Sequence, residues 1–95
     1  MLNLLASLTA VDEAAAAKIA ALLQAVKANT DANEAGNHKY EITQNGLDFN
    51  INELYDDMAA IEVHKASPQF VALVKDGDTL IKGGMAGLKI EVNPV

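Results

Sequence analysis

His38 and His64 are the two imidazoles of the chain. Proton transfer near neutral pH would fall to them first, because histidine has an unperturbed pKa in that range. They lie outside any His-x-x-x-His spacing that would turn two nitrogens toward one metal from a helix face. His38 falls in a polar stretch and reads as a solvated loop residue. His64 falls in the last turn of an apolar-periodic segment and reads as a group that complements a helix C-terminus. Asp56 and Asp57 are adjacent carboxylates. On a helix they point about 100° apart, so they do not flank one substrate bond as a general acid and base must. Asp76 and Asp78 stand in Lys75-Asp76-Gly77-Asp78, but a calcium loop needs further ligands and a closing glutamate. That segment reads as a turn.

Gly83-Gly84-Met85-Ala86-Gly87-Leu88-Lys89 invites a phosphate-loop reading. It is one residue short of that pattern, no Ser or Thr follows the lysine, and an alternating strand follows in place of a helix N-terminus. It reads instead as a flexible connection, or as a place where glycine lets another backbone come close. Ser7, Ser67 and the threonines have no histidine at a suggestive spacing, although triads converge only in space. Cysteine is absent, which removes disulfides, thiol nucleophiles and thiolate metal ligands. The residue types therefore name no catalytic, cofactor-binding or metal-ligating set. The expectation is a chain that is not an enzyme and uses no cofactor and no metal.

Charge narrows the partners. The chain has a net charge of −6 and its basic residues are all lysines, so nucleic-acid binding lacks its electrostatic drive and its bidentate arginines. The acids are spread along the chain and do not form the dense stripe that imitates nucleic acid. MLNLLASLTAV is too short to span a bilayer and lacks the basic start of a secretory signal. The expectation is a cytoplasmic protein, of a cell or an infected host, that binds neither nucleic acid nor membrane.

The elements that would position these residues follow from periodicity. Thr9–Ala28 carries Val11, Ile19, Leu22, Leu23 and Val26 at steps of three and four, so it reads as one long amphipathic helix. Thr9 would be its N-cap, with Asp12 and Glu13 in the first turn. Leu4, Leu5 and Leu8 fall on the same stripe, so residues 2–8 read as an extra turn or a continuation. Asn29–His38 is polar and reads as a loop. Lys39–Gln44 and Leu47–Ile51 flank Asn45-Gly46, a strong hairpin signal. A type I′ turn there would pair Gln44 with Leu47, Ile42 with Phe49 and Tyr40 with Ile51. Asn52–Lys65 reads as a second helix, stopped by Pro68. Gln69–Lys75 holds Phe70-Val71-Ala72-Leu73-Val74, a short apolar run expected as a covered central strand. Thr79–Lys82 and Leu88–Asn93 would be two more strands.

The expected architecture is one α+β domain over residues 1–95: a long N-terminal helix, a hairpin, a second helix and a three-stranded antiparallel meander. Opposite the apolar stripe of the first helix lie Ala14, Ala17, Ala20, Ala21 and Ala25, a face of small residues that could receive another helix. On that face rests the functional expectation, a non-enzymatic protein-interaction or assembly module, such as a phage, virion or bacterial accessory protein. Its partner would be a foreign protein or a second copy in a homodimer. Two alternatives stand beside it: an acidic inhibitor of a basic protein, and a small enzyme using His64 or His38 with a carboxylate.

Overall fold

The computed structural model describes residues 1–95. The elements are β1 (Leu2–Thr9), α1 (Glu13–Asn33), β2 (Asn37–Asn45), β3 (Asp48–Tyr55), α2 (Met58–Lys65), α3 (Pro68–Leu80), a 3-10 turn at Gly84–Gly87, and β4 (Lys89–Pro94). The strands form one antiparallel sheet in the order β2-β3-β1-β4. The α+β class and the antiparallel sheet stand as expected, and several elements are corrected.

Residues 2–8 are a strand. Their apolar residues satisfy period two as well as the helical stripe: Leu4, Ala6 and Leu8 face the core and are buried, while Asn3 and Ser7 face out. Pairing decides, because β1 lies between β3 and β4, and a short apolar run carries no record of such distant partners. The cap of α1 is therefore Asp12, whose Oδ1 accepts from the Ala15 amide at 2.8 Å, and Thr9 donates its hydroxyl to Asp48 instead. The helix also runs past its expected stop at Ala28 to Asn33, tied by Lys27–Asp31 at 3.1 Å and by Asn33 donating to Asn29 at 2.9 Å.

The hairpin is real but its register is two residues different. The turn centres on Gly46-Leu47, with Asn45 opposite Asp48, Gln44 opposite Phe49 and Ile42 opposite Ile51. Gly46 has φ of 63° and no other kind of residue has positive φ. Glycine thus occupies the first central position, the requirement of a II′-type turn, whereas a I′ turn would demand positive φ at Asn45 too. A two-residue shift keeps every side chain on its face, but it places Tyr40 opposite Glu53.

The strand β3 continues through Tyr55, so the expected start of the second helix at Asn52 is wrong. Asp57 is the cap of α2, accepting from Ala60 at 2.9 Å, while Asn52 accepts from the side chain of Asn3. The expected strands at Gln69–Lys75 and Thr79–Lys82 belong mainly to one helix, α3. Ser67 caps it by accepting from the Phe70 amide at 3.1 Å, and Pro68, expected only to end a helix, opens this one. Leu73 is buried in the core, while Val71, two residues away, is exposed. Ile81 then makes an isolated bridge to Ala10, which ties the end of α3 to the end of β1. The apolar residues of β1, α1, β3, α2 and α3 meet between the sheet and the helices. No helix is long and apolar enough to cross a membrane.

Candidate functional site

Period two turns Phe49, Ile51, Glu53 and Tyr55 of β3 toward the helices, and all four are buried. Glu53 is thus a carboxylate in an apolar row, with Tyr40 beside it on β2 and Leu4 on β1. Above the row, the last turn of α2 carries His64, one helical turn after the buried Ile61. The end of α1 supplies Thr30 and its C-cap residue Glu34. Three elements thereby deliver two carboxylates and one imidazole into the core, where such groups are rarely found unless they pair.

The distances give the cluster its order. His64 Nδ1 lies 2.8 Å from Glu34 Oε1 and 3.3 Å from Thr30 Oγ1. His64 Nε2 lies 3.7 Å from Glu53 Oε1, and Tyr55 donates its hydroxyl to that same oxygen at 2.6 Å. Tyr40, Tyr55 and Phe70 surround the imidazole with tilted rings, their centroids 5.6, 5.5 and 5.3 Å away. Burial pushes the Glu53 carboxyl up to about 7, with the nearby Glu34 carboxylate adding to the rise and the Tyr55 hydrogen bond opposing it. Burial also raises both tyrosine hydroxyls above their ordinary range, with Glu53 adding to each. Glu53 is therefore poised to exchange a proton near neutral pH, the property a general acid or base requires.

Glu53 and His64 open onto a cavity of about 120 Å³ between the sheet and α2 and α3. Sixteen of its nineteen lining residues are hydrophobic, and the other three are Glu53, His64 and Lys65. Lys65 is exposed, so Glu53 and His64 are the buried carboxyl and imidazole of the inner wall. Apolar cavities of about 150 Å³ admit a benzene ring, so the room here suits a single ring. Met58, Val74, Ile90 and Val92 line the same cavity yet are exposed themselves, which makes an apolar mouth. Met85 and Leu88 of the glycine-rich segment complete the wall. The close approach that glycine permits there is intramolecular: a Cβ on Gly87 would run into the Lys82 carbonyl.

The structure separates the two histidines. His38 is exposed and pairs with Asp56 at 2.5 Å, away from the cavity, whereas His64 is buried in its wall. His64 does stand in the last turn of α2, as expected, but α1 and β3 close over it and leave it buried. Asp76 and Asp78 lie on α3 and do not form a turn. No group of three or more His, Asp or Glu side chains is arranged to hold a metal ion. Of the alanines on α1, Ala14, Ala17, Ala21 and Ala25 are exposed and Ala20 is half-buried. Ala21 and Ala25 line a shallow groove against Lys75 and Thr79 of α3, and none of the five touches the cavity. Sequence reading missed Glu34, Glu53, Thr30, Tyr40 and Tyr55. The available signal was Glu53 itself, a carboxylate at an inward position once the strand alternation is carried on to Tyr55.

A family model described as antibiotic biosynthesis monooxygenase matches residues 1–76. A Pseudomonas aeruginosa crystal structure superposes with a TM-score of 0.85 at 27 % identity, over 99 % of this chain and 92 % of that one. A Caulobacter crescentus structure bearing the same family name gives 0.85 at 24 % identity, over 99 % and 88 % of the two chains. A Mycobacterium tuberculosis structure gives 0.86 at 21 % identity, over 99 % and 93 %. These last two speak for the fold alone. No curated protein matches the chain. The family match overturns the expectation of a non-enzymatic interaction or assembly module, and with it the acidic inhibitor and the expectation that the chain is not an enzyme. It points to a small enzyme-like or ligand-binding domain, and nothing in it supports a phage or virion origin.

Proposed function

The chain belongs to the antibiotic biosynthesis monooxygenase family, and on that premise we propose that it oxygenates a small, ring-bearing phenolic substrate held in the apolar cavity, with Glu53 and His64 taking the hydroxyl proton. A monooxygenase places one atom of dioxygen in its substrate and the other in water; here the ring itself supplies the electrons, the phenol leaving as a quinone. What the residues of this chain supply is binding, orientation and proton movement. The cavity walls bury an apolar ring, which is favourable in proportion to the area removed from water. A hydroxyl on that ring gains most when it points at the two polar groups of the inner wall, because elsewhere it would lose its water without compensation. Loss of the proton to Glu53 or His64 raises the electron density of the ring, which readies its carbons for reaction with an oxidant.

One observation carries the reading: the two proton-exchanging groups of an otherwise apolar cavity share its inner wall. Titration calorimetry with phenol and 4-methylphenol, beside cyclohexane-type alcohols of similar size, tests it. The phenols should bind more tightly, Glu53→Gln should weaken them by about tenfold, or about 1.4 kcal/mol, and an oxygen electrode should record uptake with oxidisable phenols. A chain that binds no phenol, or binds it equally well as Glu53→Gln, overturns the proposal.

Self-association as a homodimer belongs to the same reading. Two faces are open to a second copy: the alanine face of α1, and the outer face of the sheet, where Leu5 of the central strand is exposed. Light scattering on Ala17→Glu with Ala21→Glu, and separately on Leu5→Glu, distinguishes them. A wild type that is monomeric at about 100 μM, where a micromolar dimer would populate, removes both.

A further inference from the structure

Resting on the reading of His64 as a proton acceptor of the cavity, we infer that Glu34 is the positioning residue that holds the His64 imidazole in its Nδ1–H form and leaves Nε2 free of hydrogen. Asn29 donates its side-chain amide to Glu34 Oε2 at 3.2 Å, and Thr30 donates its hydroxyl to the same oxygen at 3.4 Å. The other oxygen, Oε1, faces His64 Nδ1 at 2.8 Å. A carboxylate only accepts, so the hydrogen in that last contact is the imidazole's. Thr30 Oγ1 also lies 3.3 Å from Nδ1. Its hydrogen is directed to Glu34, so toward the imidazole it offers a lone pair, which again calls for Nδ1–H.

The imposed form is the less common one, since a histidine side chain free in water favours Nε2–H. Its effect falls at the other nitrogen. Nε2 is the ring nitrogen that faces Glu53, 3.7 Å from Oε1, and without a hydrogen it accepts a proton from a ligand in the cavity. Glu34 does not line that cavity, so its part is to set the state of the ring, as the buried carboxylate of a hydrolase triad does for its histidine. The exposed His38 serves as an internal reference, because its one partner, Asp56, contacts Nε2.

Imidazole nitrogen–hydrogen correlation spectra of the 15N-labelled apo chain, taken where His64 is neutral, test the inference. Wild type should show a protonated Nδ1 and a bare Nε2 at His64. In Glu34→Gln, Asn29 and Thr30 would hold the amide oxygen in the place of Oε2. The amide NH2 would then face Nδ1, and the ring should invert to Nε2–H. Thr30→Val should keep the wild-type form. A wild type in the Nε2–H form, or a folded Glu34→Gln that keeps Nδ1–H, overturns the inference; should Glu34→Gln fail to fold, the wild-type spectrum still decides. Phenol binding is read separately: the Nδ1–H form in a chain with no affinity for phenols supports the role of Glu34 and ends the substrate reading alone.

Discussion

Tyr55 gives its phenolic hydrogen to Glu53 across 2.6 Å, from a position two residues along the same inward row of β3. The bond favours the ionised carboxylate and so works against burial, which is the larger effect. Tyr55→Phe should therefore raise the Glu53 pKa above its value of about 7. It should cost about 1 kcal/mol in stability, the usual net worth of one hydrogen bond. Carbon-13 titration of the Glu53 carboxyl reads the shift, and an unchanged or lowered midpoint refutes it.

Glu53 also ties stability to pH. Its carboxyl is raised from 4.5 to about 7 in the folded chain. Between those values the native state holds a proton that the unfolded chain has lost. The contribution is present below pH 4.5 and disappears as pH rises through about 7. For a group this buried, the loss is on the order of 3 kcal/mol. Urea midpoints at pH 5 and pH 8 should show wild type weaker at the higher pH, with Glu53→Gln much flatter. Equal slopes would mean that Glu53 ionises normally.

Leu73 and Val71 separate the helix from the strand expected there. Both would be buried in a central strand, but on α3 Leu73 packs in the core and Val71 faces solvent. Leu73→Ala should cost about 2–5 kcal/mol, and Val71→Ala less than about 0.5 kcal/mol, the level of surface sites. Chemical denaturation measures both, and comparable losses would restore the strand.

Gly87 carries a different load. Its missing Cβ is what lets the chain pass the Lys82 carbonyl, next to Met85 and Leu88 of the cavity wall. Gly87→Ala should move that segment, destabilise the fold by about 1–3 kcal/mol and weaken phenol binding. Gly46→Ala has open space around it, so its cost is confined to the positive φ, and phenol binding should be unchanged. Calorimetry on the pair separates the two effects.

The parts of the fold legible in the sequence were those with one available period and a local signal. The stripe Ile19, Leu23, Val26 had no rival reading, and Asn45-Gly46 located the hairpin. Leu2–Thr9 and Phe70–Val74 satisfied two periods at once, and long-range pairing and the Ser67-Pro68 start decided between them. The site was harder to read. His64, Glu53 and Glu34 come from a helix end, a strand and a helix cap, and nothing in their spacing announces that they meet. Glu34 lay in a stretch whose polarity suggested a loop, because Asn29, Thr30 and Asn33 spend their polar groups within the helix end and on Glu34 itself.

The acid–base groups around the cavity come from one stretch of chain, and one part of its apolar wall comes from another. Thr30, Glu34, Tyr40, Glu53, Tyr55 and His64 all precede α3 and fall inside the family match over residues 1–76. Met85, Leu88, Ile90 and Val92 follow it. That part of the wall can therefore be rewritten without touching Glu53, His64 or Glu34. A combinatorial library confined to those last four positions can reshape what enters the mouth while leaving the acid–base apparatus unedited, which makes this tail a natural handle for re-tuning selectivity.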